Sequence, residues 1–307
     1  MDDIGTVNPL AFGRGRGNLP RIVPLTHRKP LWLYPSLLSL DAPLVAVAWL
    51  YVFAKTWRLG YHPWEAYASL GMAVWVLFVA ARLLDASMIG GNDARLESRH
   101  AFHWRHRRWF RLALMVVVPL LIALVVLRMP VAIYKHLMLA GVMVAGFFGL
   151  ALLSSQDPRE VSHTKNIFGG VAFAFGTAIT AHLYRYQYDL YDLLFSREFL
   201  CFAVLCILNI SAIGLWERNA RSPDRESSAA DDLSLTLPLI LLAGVALSHA
   251  LMERELSTRP IFYAILTGAG LLYVLNRCRD RFRMDALRAL AGVAMLGPVL
   301  VFLASRN

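Results

Sequence analysis

Long apolar stretches alternate with short polar ones along nearly the whole chain. The apolar runs fall near residues 36–54, 64–84, 110–128, 132–153, 167–185, 199–216, 234–252, 260–276 and 287–304. Each is about 17 to 22 residues long, the length that crosses the hydrocarbon core of a bilayer as a helix. Lipid offers the backbone no hydrogen bonds, so a spanning run must close its own. The runs are continuous, which argues against the alternating strands of a β-barrel. The pattern predicts an all-α, polytopic membrane bundle of nine transmembrane helices over residues 36–304. Residues 1–35 read as a lead-in rich in Gly, Pro and Arg, without the apolar centre of a signal peptide. No separate soluble domain interrupts the pattern.

Composition agrees. The chain has 307 residues, of which 57% are hydrophobic and 17% charged; its mean hydropathy is +0.50. A soluble domain carries about 25% charged residues. The net charge of +10 does not point to nucleic acid, because the cations sit in short segments between apolar runs. There they meet anionic lipid headgroups. Cys201, Cys206 and Cys278 stand in or beside apolar runs and form neither a disulfide framework nor a CxxC pattern. They read as small core residues.

Charge also predicts orientation. Of the 31 Lys and Arg residues, 22 fall on one set of loops, with the N-terminus, and 9 on the other. The positive-inside rule then puts the N-terminus in the cytoplasm and the C-terminus outside the cytoplasmic membrane. The segment YRYQYDLYDLLF, 184–195, reads as an interfacial tyrosine belt on the outer side.

Candidate chemistry concentrates on the cytoplasmic side. The stretch ARLLDASMIGGNDARLESRHAFHWRH, 81–106, leaves the second run with Arg82 and Asp85, then Asp93 and Glu97. Carboxylates at the mouth of a helical bundle can hold Mg²⁺, and arginines beside them bind phosphate oxygens. The same charges also mark where a helix leaves the membrane. Glu97, His100, His103 and His106 repeat at helical spacing, but Arg99, Arg105, Arg107 and Arg108 would repel a divalent cation. With Phe102, Trp104, Trp109 and Phe110, the stretch reads as a basic interfacial helix. A second polar stretch, LNISAIGLWERNARSPDRESS, 208–228, carries Asn209 within a run, Glu217 and Arg218 at its end, and Asp224 and Glu226 beyond Pro223. Lys165 stands at the start of the fifth run, before the small face Gly169, Gly170, Ala172, Ala174, Gly176 and Ala178. Small faces let membrane helices approach closely, and Lys165 either snorkels or reaches a phosphate. Asp41, in SLDAPLVAV at 39–47, either caps its helix or faces the bundle interior.

These features resemble the UbiA superfamily of membrane prenyltransferases. Span number, orientation and the polar loops after the second and sixth spans correspond over nearly the whole chain. LDAP at 40–43 is similar to the family's LDxP, and HTKNIFGGVAFAFGTA at 163–178 to the family's fifth-helix start. Aligned on Asp85, the first Asp-rich motif reads Ala81, Arg82, Asp85 and Ile89, keeping one carboxylate. The second motif's place holds Asn209, Ser211, Trp216 and Glu217. The resemblance implies a prenyl diphosphate and a lipophilic acceptor as partners, with Asp85 and Glu217 as catalytic residues. Arg82, Arg99 and Lys165 would bind diphosphate. Asp85, Glu217 and Asn209 would be the ligands of one Mg²⁺, or the phosphate site would be purely cationic. Asp85, Glu217 and Lys165 are then expected to line one cytoplasm-facing cavity. Two other readings are a non-catalytic relative that binds a lipid or isoprenoid, and a carrier. Few mid-span charges and no matched Gly/Pro breaks argue against the carrier.

Overall fold

The computed structural model describes residues 33–88, 98–154, 163–185, 188–221 and 225–306. These residues are helical, joined by short turns. The helices are α1 (Tyr34–Leu37), α2 (Asp41–Thr56), α3 (Trp64–Met88), α4 (Ser98–Arg105), α5 (Arg107–Arg128) and α6 (Ile133–Ser154). They continue with α7 (His163–His182), α8 (Leu190–Leu194), α9 (Arg197–Arg221), α10 (Arg225–Met252), α11 (Arg259–Arg277) and α12 (Met284–Arg306).

Among the described residues, each of the nine apolar runs contains one long helix. Five of these helices carry a segment long and apolar enough to cross a membrane: Trp64–Ser87, Arg107–Arg128, Arg197–Ala220, Ala230–Met252 and Met284–Arg306. The chain is therefore a multi-pass membrane protein in character. Helix α2 is shorter than its run predicts. It has 16 residues, about 24 Å of helix against a hydrocarbon core of about 30 Å.

The core lies around α2, α7, α9, α11 and α12, while α5 and α6 turn mostly outward. Trp49 of α2 is fully buried. It stacks on Phe202 of α9 at 4.4 Å and donates its indole N–H to the Met295 carbonyl of α12 at 2.8 Å. One indole thus pins three helices, with its apolar body packed and its polar atom satisfied. Helix α7 lies against α9 at Gly170, where a Cβ would come within 2.6 Å of the Ile207 backbone. The small face of the fifth run therefore makes the close approach that its composition predicts.

The first run is not one helix. Ser39 takes a left-handed φ of 60° between α1 and α2. Pro43, four residues on, has no N–H for the Ser39 carbonyl and its ring crowds it, and a contact across the bundle goes with the break. Arg82 of α3 donates to the Ser36 carbonyl at 2.7 Å, the acceptor that an unbroken helix would give to Leu40. Leu40 N–H donates to Pro35 O instead, at 2.8 Å.

Candidate functional site

Polar side chains gather where α2, α10 and α12 begin and where α3, α9 and α11 end. Helix α7 also begins there, antiparallel to α9, with a half-buried Lys165 in its first turn. The first network centres on Arg82, which is 5% exposed. Its Nη1 donates to Ser36 O and to Ser39 Oγ, the latter at 2.6 Å. Its Nη2 lies 3.8 Å from Asp41 Oδ1. Ser39 Oγ is in turn 3.1 Å from Nε2 of a fully buried His103, whose ring stacks on Phe110 at 4.2 Å.

The second network joins α9 to α12. Arg288 is 5% exposed. It donates through Nε to Glu217 Oε1 at 2.7 Å and sets Nη2 2.6 Å from the same oxygen. Its Nη1 is 3.4 Å from Asp285. Two further sets of contacts extend it. Arg218 pairs with Asp231 of α10. Trp216 donates to Asn276 Oδ1 at 2.9 Å, Asn276 donates to Asp232 at 2.7 Å, and Arg279 donates to Asp232 at 2.8 Å. The networks adjoin: a Cβ at Gly292, one turn beyond Arg288, would lie 3.9 Å from the Cβ of Asp41.

The predicted residues divide as follows. Arg82 and Glu217 are in these two networks, and Asp85 is half-buried one turn beyond Arg82. Arg99 is on α4, its side chain outside the described residues, and Asp93, Glu97 and Asp224 also lie outside them. Of the two sequence readings of Asp41, the cap fails: Asp41 is the first residue of α2, Leu40 holds the cap position and no side chain caps the helix. Its Oδ1 accepts from the next N–H, of Ala42, at 3.0 Å and faces Arg82. Of the histidine series, the described side chains of His103 and His106 do not converge on a ligand position, and that of His100 lies outside the described residues. His103 turns inward to Ser39, and His106 Nδ1 bonds the Phe102 carbonyl at 3.0 Å. The basic interfacial reading is the better match: Arg105 and Arg108 are exposed, and Arg107 lies over Trp104 at 4.4 Å.

The proposed Mg²⁺ ligands do not fit one ion. Asn209 and Glu217 are on one unbroken helix, eight residues and about 12 Å apart along its axis. Mg²⁺ holds its ligands at about 2.1 Å. Arg288 also already occupies Glu217. Among the described residues, no group of three or more His, Cys, Asp or Glu side chains is arranged to hold a metal. Asn209 Oδ1 is instead a buried acceptor without a partner.

Sequence reasoning missed Arg288, Asn276, Asp231 and Asp232. A signal was available for two of them. Arg288 and Asn276 stand at the apolar margins of the ninth and eighth runs, where polar residues face the bundle interior.

The opposite end is aromatic. Arg185 lies over Tyr188 at 3.7 Å and over Trp57 at 4.6 Å. Tyr191 is 73% exposed, as a belt residue would be. Tyr184 is half-buried, with its hydroxyl donating to Met129 Sδ at 3.6 Å.

No protein-family model, curated protein or solved structure matches this chain.

Proposed function

We propose that the protein is a UbiA-like bundle with nine membrane spans, its N-terminus in the cytoplasm. In this reading it takes a prenyl diphosphate at its arginine-rich end and transfers the prenyl group to a lipophilic acceptor. The observation that carries the reading is the convergence of two buried arginines, Arg82 and Arg288, on one end of an apolar helical bundle. Charge held inside a membrane bundle marks a functional site more often than a structural one.

The chemistry would run through cations. The carbon–oxygen bond to the diphosphate breaks, and its electron pair leaves with the diphosphate. Arg82, Arg99 and Lys165 draw that charge electrostatically. The allylic cation takes an electron pair from the acceptor, which then loses a proton to water. Asp85 orients Arg82. No step is assigned to Mg²⁺, because the expected ligand set does not fit around one ion.

One observation favours binding without turnover. Arg288 neutralises Glu217, and Ser36 and Ser39 engage Nη1 of Arg82. Such an end would hold an isoprenoid or lipid headgroup without breaking it.

Radiolabelled prenyl diphosphates of several lengths, offered to the protein in nanodiscs with and without EDTA, separate the readings. Release of diphosphate, reduced at least about tenfold in Lys165→Met and Arg82→Lys, is the expected result. Saturable binding without release selects the second reading. Neither binding nor release with any length tested overturns both.

A further inference from the structure

Ser39 stands where a glycine is the usual residue. Its N–H donates to Ser36 O at 3.3 Å, and Leu40 N–H donates to Pro35 O at 2.8 Å. That pair of bonds is the turn that ends a helix on a left-handed residue, a position that glycine fills because it has no Cβ. Here a serine holds φ at 60°. Pro43 ends the helical bonding but does not require a serine at the turn. A residue kept where its backbone is strained points to a role for its side chain.

That side chain joins three elements. Ser39 is fully buried. Its Oγ accepts from Arg82 Nη1 of α3 at 2.6 Å and lies 3.1 Å from His103 Nε2 of α4. Nη1 also donates to Ser36 O at 2.7 Å, so both of its hydrogens are engaged. A phosphate takes an arginine through the same planar fork. Oxygens of α1 and of the turn after it therefore stand where phosphate oxygens would bind.

Helix α4 is the weaker side of this junction. It has eight residues and lies against α1 and α3. Among its described side chains, His103 alone is buried, and it is polar. An element with few buried apolar contacts opens before the core does. Arg82, by contrast, is carried by the 25 residues of α3.

We propose, on the reading that a diphosphate comes to Arg82, that the Arg82–Ser39–His103 junction is an autoinhibitory latch. In the latched state Ser36 and Ser39 occupy the guanidinium, and His103 ties α4 to them. A diphosphate takes the guanidinium in their place, Ser39 loses its arginine partner, and α4 comes loose from the end of the bundle.

The test measures amide exchange of α4 and ligand binding on the full chain in nanodiscs, with farnesyl and geranylgeranyl diphosphate as probes. A bound probe is expected to quicken exchange in α4 at least about fivefold while α9 stays protected. A ligand that merely covered α4 would slow it. Ser39→Gly keeps the turn, because glycine suits the left-handed position, and removes the hydroxyl. His103→Phe keeps a ring against Phe110 and removes the polar contact, should the first variant fail to insert. Each should leave α4 exchanging fast without ligand and should bind the probe about tenfold tighter, since no closed state competes. A contact that only stabilised the fold would not raise affinity when broken. Slower or unchanged α4 exchange on binding, or unchanged exchange and affinity in both variants, overturns the latch and leaves the prenyl diphosphate reading standing. If neither probe binds the unaltered protein or either variant, the latch and that reading fall together.

Discussion

Arg288 is almost entirely withdrawn from solvent, and Glu217 keeps its charge tolerable. Truncating one partner takes from the other its nearest counter-charge, leaving Arg288 the longer contact to Asp285 at 3.4 Å; breaking a buried pair in this way costs up to about 3–5 kcal/mol. Glu217→Gln and Arg288→Met should each lower the unfolding temperature of the purified protein sharply. The double variant Glu217→Leu/Arg288→Met should recover most of the loss, since a packed apolar pair replaces an ion pair at little cost. Unchanged melting of both single variants would mean that the pair holds nothing together. Gly170 carries a different constraint. Gly170→Ala drives a Cβ against the backbone of Ile207, which cannot move aside as a side chain could. A loss of about 1–3 kcal/mol is expected. Gly176→Ala meets nothing within 4 Å and should gain up to about 1 kcal/mol from helix propensity. Equal melting shifts in the two variants would refute the distinction. The sequence made the small face of this helix legible. It could not identify which glycine meets a neighbour, because that depends on the rotation of α7 against α9.

Helices and loops show why some boundaries were readable and others not. The long apolar runs set the positions of α3, α5, α9 and α12 to within a few residues, because hydrophobic length alone decides them. The break at Ser39 had a local signal in Pro43, four residues on, which cannot bond the Ser39 carbonyl; what could not be read was the partner, Arg82, 43 residues away. That contact ties the end of α1 to α3, and His103 extends it to α4. Ser39→Ala removes the hydroxyl that joins them and should cost about 1–3 kcal/mol. Amide exchange in α4 should quicken while α9 stays protected; unchanged exchange in α4 would remove this role. The loop between α2 and α3 contains His62, packed on the rings of Tyr67 and Tyr184 at 4.7 and 4.9 Å. Burial pushes its imidazole below the ordinary value of 6.5. The unfolded chain then binds a proton more readily than the folded one, so stability falls as pH drops through and below about 6.5. His62→Phe should flatten the fall in melting temperature between pH 7 and pH 5. A slope identical to that of the unaltered protein would show that His62 does not report on acid stability.

At the scale of the whole molecule, the asymmetry of charge was readable before any contact was known. Cations crowd one end, and there Arg82, Arg218, Arg279 and Arg288 find their partners. The pairings themselves were not readable, because Glu217 and Arg288 are 71 residues apart and meet only once α9 and α12 are in register. The number of crossings follows less directly. Nine spans and the five most apolar ones both put the C-terminus opposite the N-terminus, since both numbers are odd. A C-terminal reporter would therefore not separate them. The loop between α2 and α3 does. If α2 crosses, Tyr61 lies outside; if only the five most apolar helices cross, it shares the N-terminal side. Tyr61 is 75% exposed and accepts a probe. In a Cys278→Ser background, with Cys201 and Cys206 buried, Tyr61→Cys should react with a membrane-impermeant maleimide on intact cells. Asp280→Cys, between α11 and α12, should react only after permeabilisation. If Tyr61→Cys also needs permeabilisation, α2 does not cross and the nine-span bundle falls. The short α2, with only 16 residues, would then be a helix packed inside the bundle from one face.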